Sequence, residues 1–167
     1  FQAAHPALVR SCVYLQREGF PIYANTSCRY FPLGENQYAA MIEDLKNARR
    51  FIFLEYFILS EGKLWNDIHA ILREKAKAGV DVRLLFDDYG SITTAPRKLI
   101  QTLKSENIKA FAFNPVHKSI SRLFLNYRNH QKIVVIDGSI GYTGGTNLAD
   151  EYANLIERFG HWKDTAI

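Results

Sequence analysis

The stretch from Asn129 to Asn147 reads NHQKIVVIDGSIGYTGGTN, and its residue types suit chemistry on a phosphate. His130 and Lys132 lie two residues apart at the entry to a run of branched apolar residues. Side chains on a strand alternate faces, so these two share one. Lysine supplies a fixed positive charge for phosphoryl oxygens. A neutral imidazole supplies a nucleophile or a proton-transfer group near neutral pH. Asp137 is an odd number of residues from both and falls on the opposite face. It reads as support, its carboxylate holding a backbone turn or a neighbouring side chain. Gly144, Gly145, Thr146 and Asn147 then open an expected helix over 148–158. Two glycines permit a close backbone approach, Asn147 is a good N-cap with an amide to donate, and a helix N-terminus favours an anion. Each piece also has an ordinary reading, as a surface His-x-Lys, an Asp-Gly turn and a helix entry.

The surrounding elements must position these groups. The spacing predicts a helix over 3–18 closing at Gly19, a strand and turn at 28–35, and a helix over 35–49. FIFLEYFI (51–58) is apolar on both faces, as a buried central strand would be. Leu64, Trp65, Ile68, Ile71, Leu72 and Ala76 repeat at amphipathic-helix spacing over 63–78, and Gly79 is a natural stop. Strands follow at 81–86 and 108–113, with a short helix over 95–105 between them. IVVI (133–136) and SIGYT (139–143) read as a hairpin joined through Asp137-Gly138. HWKDTAI closes the chain as a last strand. Strands alternating with helices imply an α/β fold with a mixed, largely parallel sheet flanked by helices. No internal linker appears, so residues 1–167 read as one domain.

Composition sets outer bounds. A chain of 167 residues with 47% hydrophobic content can bury a real core. No apolar run reaches the roughly 18–20 residues of a membrane-crossing helix. Cys12 and Cys28 make no disulfide framework, so reduced thiols in a cytosolic setting are expected. No signal peptide is visible and the chain lacks an initiator Met, which suggests a piece of something longer. Between Arg97 and Lys132, eight Lys and Arg stand against one acid, Glu106. Such a local excess suits a phosphate-bearing partner, nucleic acid or an anionic membrane, or simply a solvated basic face.

Taken together, His130, Lys132, Asp137, Gly144, Gly145 and Asn147 match a known pattern: His-x-Lys, four residues, Asp, six residues, then Gly-Gly/Ser-x-Asn. It resembles the signature of the phospholipase D superfamily. The wider chain, through FPLGENQYAAMIEDLKNARRFIFLEYFIL, AKAGVDVRLLFDDYGS and FGHWKDTAI, resembles the first catalytic half of bacterial cardiolipin synthases. The resemblance implies that His130 attacks phosphorus and forms a phosphohistidine. Lys132 and Asn147 would bind the phosphoryl oxygens and stabilise developing charge, with Gly144, Gly145 and Thr146 in contact with substrate. Asp164, in WKDTAI, matches the carboxylate that orients the histidine, and Asp137 completes the catalytic set in a structural role. No metal or cofactor is implied. Gln131, where a basic residue is common, and Ala166, where a polar one is, depart from the pattern outside its core.

Enzymes of this kind use two such motifs, and His5, His69, His117 and His161 supply no second one. The other half is expected from a C-terminal segment or a second copy of the chain. The resemblance implies a phosphatidyltransferase at the cytoplasmic face of the cell membrane, joining two phosphatidylglycerol molecules and releasing glycerol. The segment SISRLFLNYR (119–128), which mixes apolar residues with arginines, is the expected contact with anionic lipid. The alternative is a phosphodiesterase acting on nucleic acid, completed by homodimerisation. Glu55, Asp87 and Asp88, at strand ends, read as rim or structural carboxylates.

Overall fold

Phe51–Tyr56 forms β1, the middle strand of a computed structural model that describes residues 5–116 and 126–167. Around it lie β2 (Asp81–Asp87), β3 (Lys109–Phe113), β4 (Ile133–Ile136) and β5 (Ile140–Thr143), in the order β3-β2-β1-β4-β5. β1, β2 and β3 run parallel, β4 is antiparallel to β1, and β5 is antiparallel to β4. The sheet is mixed, as expected. Parallel neighbours need crossovers, and helices provide them: α3 (Lys63–Lys77) between β1 and β2, and α4 (Asp88–Ser91) with α5 (Leu99–Ser105) between β2 and β3. Helices α1 (Pro6–Arg17) and α2 (Gly34–Asn47) precede the sheet.

One face of the sheet carries the core. Ile52, Leu54, Val82, Leu84, Val134 and Ile136 pack against Met41 and Leu45 of α2 and Leu64, Trp65, Ile68 and Leu72 of α3. All are almost completely buried, each contributing about 1.5–3 kcal/mol by leaving water. Gly79 stops α3 with φ at +92°, a conformation that an L side chain resists. The two-sided burial expected for 51–58 is corrected. Ile52, Leu54 and Tyr56 are sealed, whereas Phe51, Phe53 and Glu55 are only half-buried. On that second face the guanidinium of Arg83 lies 4.7 Å from the centre of the Phe53 ring.

The C-terminal segments differ most from expectation. Residues 148–158 form no helix, only the single 3-10 turn Asp150–Ala153. The cause is tertiary. Asp150 accepts from the backbone N–H groups of Lys63 (2.9 Å) and Leu64 (2.7 Å), satisfying the first turn of α3. Asn154 turns left-handed at φ 51° and ties its side chain to the Trp162 backbone and to Glu35. The strands expected at 28–35 and in HWKDTAI shrink to isolated bridges, Phe31 to Ala166 and Gly144 to Ala166. Helix α5 begins at Leu99 instead of Ala95, after Pro96 and a left-handed Lys98. The short α4 follows Asp87, whose side chain caps it by accepting from Gly90 N–H at 3.0 Å.

Candidate active site

Because β4 runs antiparallel to β1, its entry lies beside the C-terminal end of β1, with Ile133 opposite Glu55. Two acids anchor that entry. Asp87, fully buried, accepts from the backbone N–H of Asn129 at 2.9 Å and from Nη1 of Arg128 at 3.3 Å. Glu55 accepts from the side-chain amide of Asn129. Asp88 accepts from the backbone N–H of Val116 at 2.7 Å. These strand-end carboxylates are hydrogen-bond anchors for the loop that delivers His130.

His130, Lys132, Gly144, Gly145, Asn147, Tyr152, Trp162 and Asp164 line one open hollow of about 310 Å³. A larger hollow of about 490 Å³, along α5 and β3, holds lysines but no histidine or carboxylate. The His130 ring is packed against Phe57, with centroids 4.6 Å apart. Lys132 is only 7% exposed. Its Nζ lies 2.6 Å from the His130 carbonyl oxygen, 3.2 Å from Nδ1 of His130 and 5.4 Å from the centre of the Phe57 ring. Burial pulls the Lys132 amine below the usual lysine range, and the Asp164 carboxylate pulls it partly back. An ammonium can only donate. While Lys132 is charged, a neutral His130 therefore accepts at Nδ1 and carries its proton on Nε2.

Asn147 is not a helix cap, since no helix follows it. It is 3% exposed, and its Oδ1 accepts from the Ile58 backbone N–H at 3.0 Å. That bond orients the amide, with its nitrogen as the donating end. The two glycines also serve differently from expectation. A Cβ on Gly144 would strike the Thr165 carbonyl and the Ala166 backbone, and one on Gly145 would overlap the Asp164 carboxylate. The space they leave is occupied by the chain's own residues 164–166, held by Gly145 N–H to Thr165 O at 3.0 Å and Ile167 N–H to Thr143 O at 2.9 Å. Asp164, at the end of the sequence, is thereby set into the hollow. Its oxygens accept from Thr165 N–H at 3.1 Å and Trp162 Nε1–H at 3.5 Å.

Two residues of the sequence-derived set are not brought to the hollow. Asp137 stands at the far end of β4, in the turn to β5, with φ 56°. Its carboxylate accepts from three successive backbone N–H groups, of Arg49 (2.8 Å), Arg50 (2.7 Å) and Phe51 (2.9 Å). These hold it below the usual carboxylate range and leave it no part in the hollow. Thr146 is buried with its methyl group beneath Gly34, on the α2 side, and lines no part of the hollow. Sequence reasoning missed Phe57, Tyr152 and Trp162. Trp162 had a signal, its place two residues before Asp164; Phe57 and Tyr152 had none that spacing reveals. Most of the expected lipid-contact segment, residues 119–125 of 119–128, lies outside the described residues. Among the described residues no helix is long and apolar enough to cross a membrane, and no three His, Cys, Asp or Glu side chains gather where they could share a metal ion.

With this geometry in place, comparison with known proteins is direct. Residues 41–157 match the family described as cardiolipin synthase, PLD-like domain. An uncharacterised protein of Streptococcus mutans is 44% identical over 165 residues, covering 98% of this chain and 36% of its own length. A cardiolipin synthase of a Geobacillus species is 39% identical over 147 residues, covering 88% of this chain and 29% of its own length. The chain thus spans about a third of these curated relatives. Among solved structures, NucT from Helicobacter pylori superposes with a TM-score of 0.59 at 18% identity, over 83% of this chain and 81% of that one. The likeness to NucT is one of fold.

Proposed function

The chain belongs to the cardiolipin synthase PLD-like domain family, and from that premise we propose that it is one half of a phosphatidyltransferase that makes cardiolipin from two phosphatidylglycerol molecules. The observation that carries the reading is the convergence of His130, Lys132, Asn147 and Asp164 on one hollow. A phosphodiester in that hollow draws the Lys132 ammonium to its oxygens and releases Nδ1 of His130 to take the ring proton. Asp164 stabilises the imidazolium character that develops as Nε2 attacks. An N–P bond forms as the P–O bond to the headgroup glycerol breaks. The departing alkoxide takes its proton from a general acid that a second His-x-Lys half supplies. A hydroxyl of the second phosphatidylglycerol then gives a proton to that same group and attacks phosphorus. The N–P bond breaks, cardiolipin forms, and His130 is restored. Lys132 and the Asn147 amide bind the phosphoryl oxygens and stabilise their charge in both steps.

The test is turnover by the intact protein containing this chain. Phosphatidylglycerol vesicles are incubated with wild type and with His130→Ala, and cardiolipin and glycerol are measured by mass spectrometry. His130→Ala is expected to abolish turnover with an unchanged melting temperature. A variant that retains the wild-type rate would sink the nucleophile assignment. A parallel incubation with single- and double-stranded DNA separates the readings: cleavage of DNA without lipid transfer favours the phosphodiesterase. Light scattering on the 167-residue chain asks where the second half comes from. A dimer points to a second copy, a monomer to another segment.

A further inference from the structure

His130 stands three residues ahead of β4, whose first paired residue is Ile133, opposite Glu55. The strand pairing stops short of the nucleophile, so its backbone must be fixed by other means. Asn129 supplies them. Its backbone N–H donates to Oδ2 of the fully buried Asp87 at 2.9 Å. Its side-chain Oδ1 accepts from the backbone N–H of Gln131 at 3.1 Å, reaching across His130. A side-chain acceptor bound to the amide two residues on closes an Asx turn, which leaves the middle residue little backbone freedom. The middle residue here is His130. Its carbonyl oxygen accepts in turn from Nζ of Lys132 at 2.6 Å.

The Asn129 side chain is held at its other end as well. Nδ2 donates to Oε1 of Glu55, the last residue but one of β1. The two partners settle which way the amide points, because a carboxylate only accepts and a peptide N–H only donates. An amide pinned at one end alone can twist about its last torsion, which has a broad minimum. Pinned at both ends, it cannot. We propose that Asn129 is a positioning residue for the nucleophile: Glu55 fixes the amide, and the amide fixes the His130 backbone, so that Nδ1 stays opposite the Lys132 ammonium. The proposal rests on the reading of His130 as the attacking group and deepens it. Asn129 and Glu55 are not among the residues that line the hollow. Their effect travels through His130, so turnover suffers and substrate binding does not.

The experiment reverses the polarity of the pair in the intact protein. Asn129→Asp sets two carboxylates against each other and removes the donor between them. Glu55→Gln returns a donor, and the double variant has the net charge of wild type. Rates of cardiolipin formation, normalised to folded protein, are measured against phosphatidylglycerol concentration. The ring nitrogens of His130 are followed by NMR at about pH 8, where an ordinary imidazole is neutral. Asn129→Asp is expected to lower kcat at least about tenfold, toward the hundredfold loss of a 1 Å misplacement, with KM changed less than about twofold. Glu55→Gln alone, which keeps an oxygen for Nδ2, is expected to cost less than about threefold. The double variant is expected to return to within about threefold of wild type, because the two changes share one contact. In the free protein the two ring-nitrogen signals should converge in Asn129→Asp, as the proton spreads over both tautomers, and separate again in the double variant. A double variant no faster than Asn129→Asp would overturn the proposal. So would an Asn129→Asp protein that melts lower yet keeps the wild-type kcat and ring signals, the mark of a merely structural residue. Should Asn129→Asp fail to fold, Glu55→Ala removes the same anchor from its other side and must lower kcat and shift the ring signals in the same way. A wild type that transfers no lipid refutes the transferase, and the ring signals of the same proteins then decide on Asn129.

Discussion

Gly144→Ala and Gly145→Ala are the same chemical change one residue apart, and the structure assigns them opposite consequences. A Cβ on Gly145 would lie 2.6 Å from Cγ of Asp164 and overlap one of its oxygens. Carbon contacts that short do not occur, so the carboxylate must retreat by about 1 Å. It sits at the end of a side chain that can rotate, so the backbone stays where it is. The stability cost is that of modest overpacking, about 1–3 kcal/mol. The functional cost is larger, because a displacement of about 1 Å at a reacting centre lowers turnover on the order of a hundredfold. A Cβ on Gly144 instead meets the Thr165 carbonyl and lies 2.7 Å from the Ala166 Cα. Backbone has no rotamer to escape into, and residues 165–167 must peel away from 143–145. The bonds at risk are Gly145 N–H to Thr165 O, Thr143 N–H to Ile167 O and Ile167 N–H to Thr143 O, at 3.0, 3.1 and 2.9 Å. At about 1 kcal/mol each, Gly144→Ala costs about 3 kcal/mol. Denaturant melts and initial transfer rates, normalised to folded protein, give both quantities. Adding Asp164→Ala to Gly145→Ala should restore stability without restoring activity. A Gly145→Ala protein with wild-type kcat/KM would refute the placement of Asp164 in the site, and a Gly144→Ala protein as stable as wild type would refute the pairing of 165–167.

The remaining predictions concern the supports. Asp137 is held below the usual carboxylate range by three backbone N–H groups; its folded value is lower than its unfolded one, so its contribution is present above about pH 4 and lost as pH falls through the folded value. The melting temperature of Asp137→Ala should therefore lie furthest below wild type near neutral pH, with the gap closing in acid. A gap constant from pH 7 to pH 2 would contradict the carboxylate's role. Asp87→Ala leaves the Arg128 guanidinium and the Asn129 and Gly90 N–H groups without their acceptor. Breaking a buried pair from one side costs about 3–5 kcal/mol, to be read by urea melts; a loss under about 1 kcal/mol would show that Asp87 does not anchor the His130 loop.

Where a short window carries the information, sequence and fold agree for physical reasons. The apolar positions of α3 recur every three or four residues, and Leu64, Trp65, Ile68, Ile71, Leu72 and Ala76 are its buried face. The hairpin of β4 and β5 follows from Asp137-Gly138, a turn whose left-handed angles few other pairs accept. The helix expected over 148–158 fails for a reason no window contains. Leu148, Ala149 and Ala153 are buried at helix-like spacing. Asp150, however, is claimed by the N-terminus of α3, a partner 86 and 87 residues away in the chain. A carboxylate serving two orphan N–H groups there outweighs the small propensity of a single local turn. The second face of β1 errs the other way: Phe51 and Phe53 are apolar, yet no helix among the described residues seals them.

The site divides along the same line. That His130 and Lys132 act together follows from an alternation of two, and the structure places Nζ 3.2 Å from Nδ1. The glycines are read as permitting a close backbone approach, and the segment that makes it is the chain's own C-terminal stretch. They admit residues 164–166, and so set the Asp164 carboxylate into the hollow. Four groups from three parts of the sequence meet because β4 starts at the C-terminal end of β1, because residues 165–167 pair beside 143–145, and because Ile58 N–H takes the Asn147 amide. None of these is chemistry of the phosphate. Each is a hydrogen bond made by a backbone group of the sheet or its edge, so the arrangement of the reactive groups is as stable as the sheet edge that carries it. Changes that loosen that edge should lower turnover before they lower the melting temperature, because a shift of about 1 Å harms catalysis far more than it harms packing.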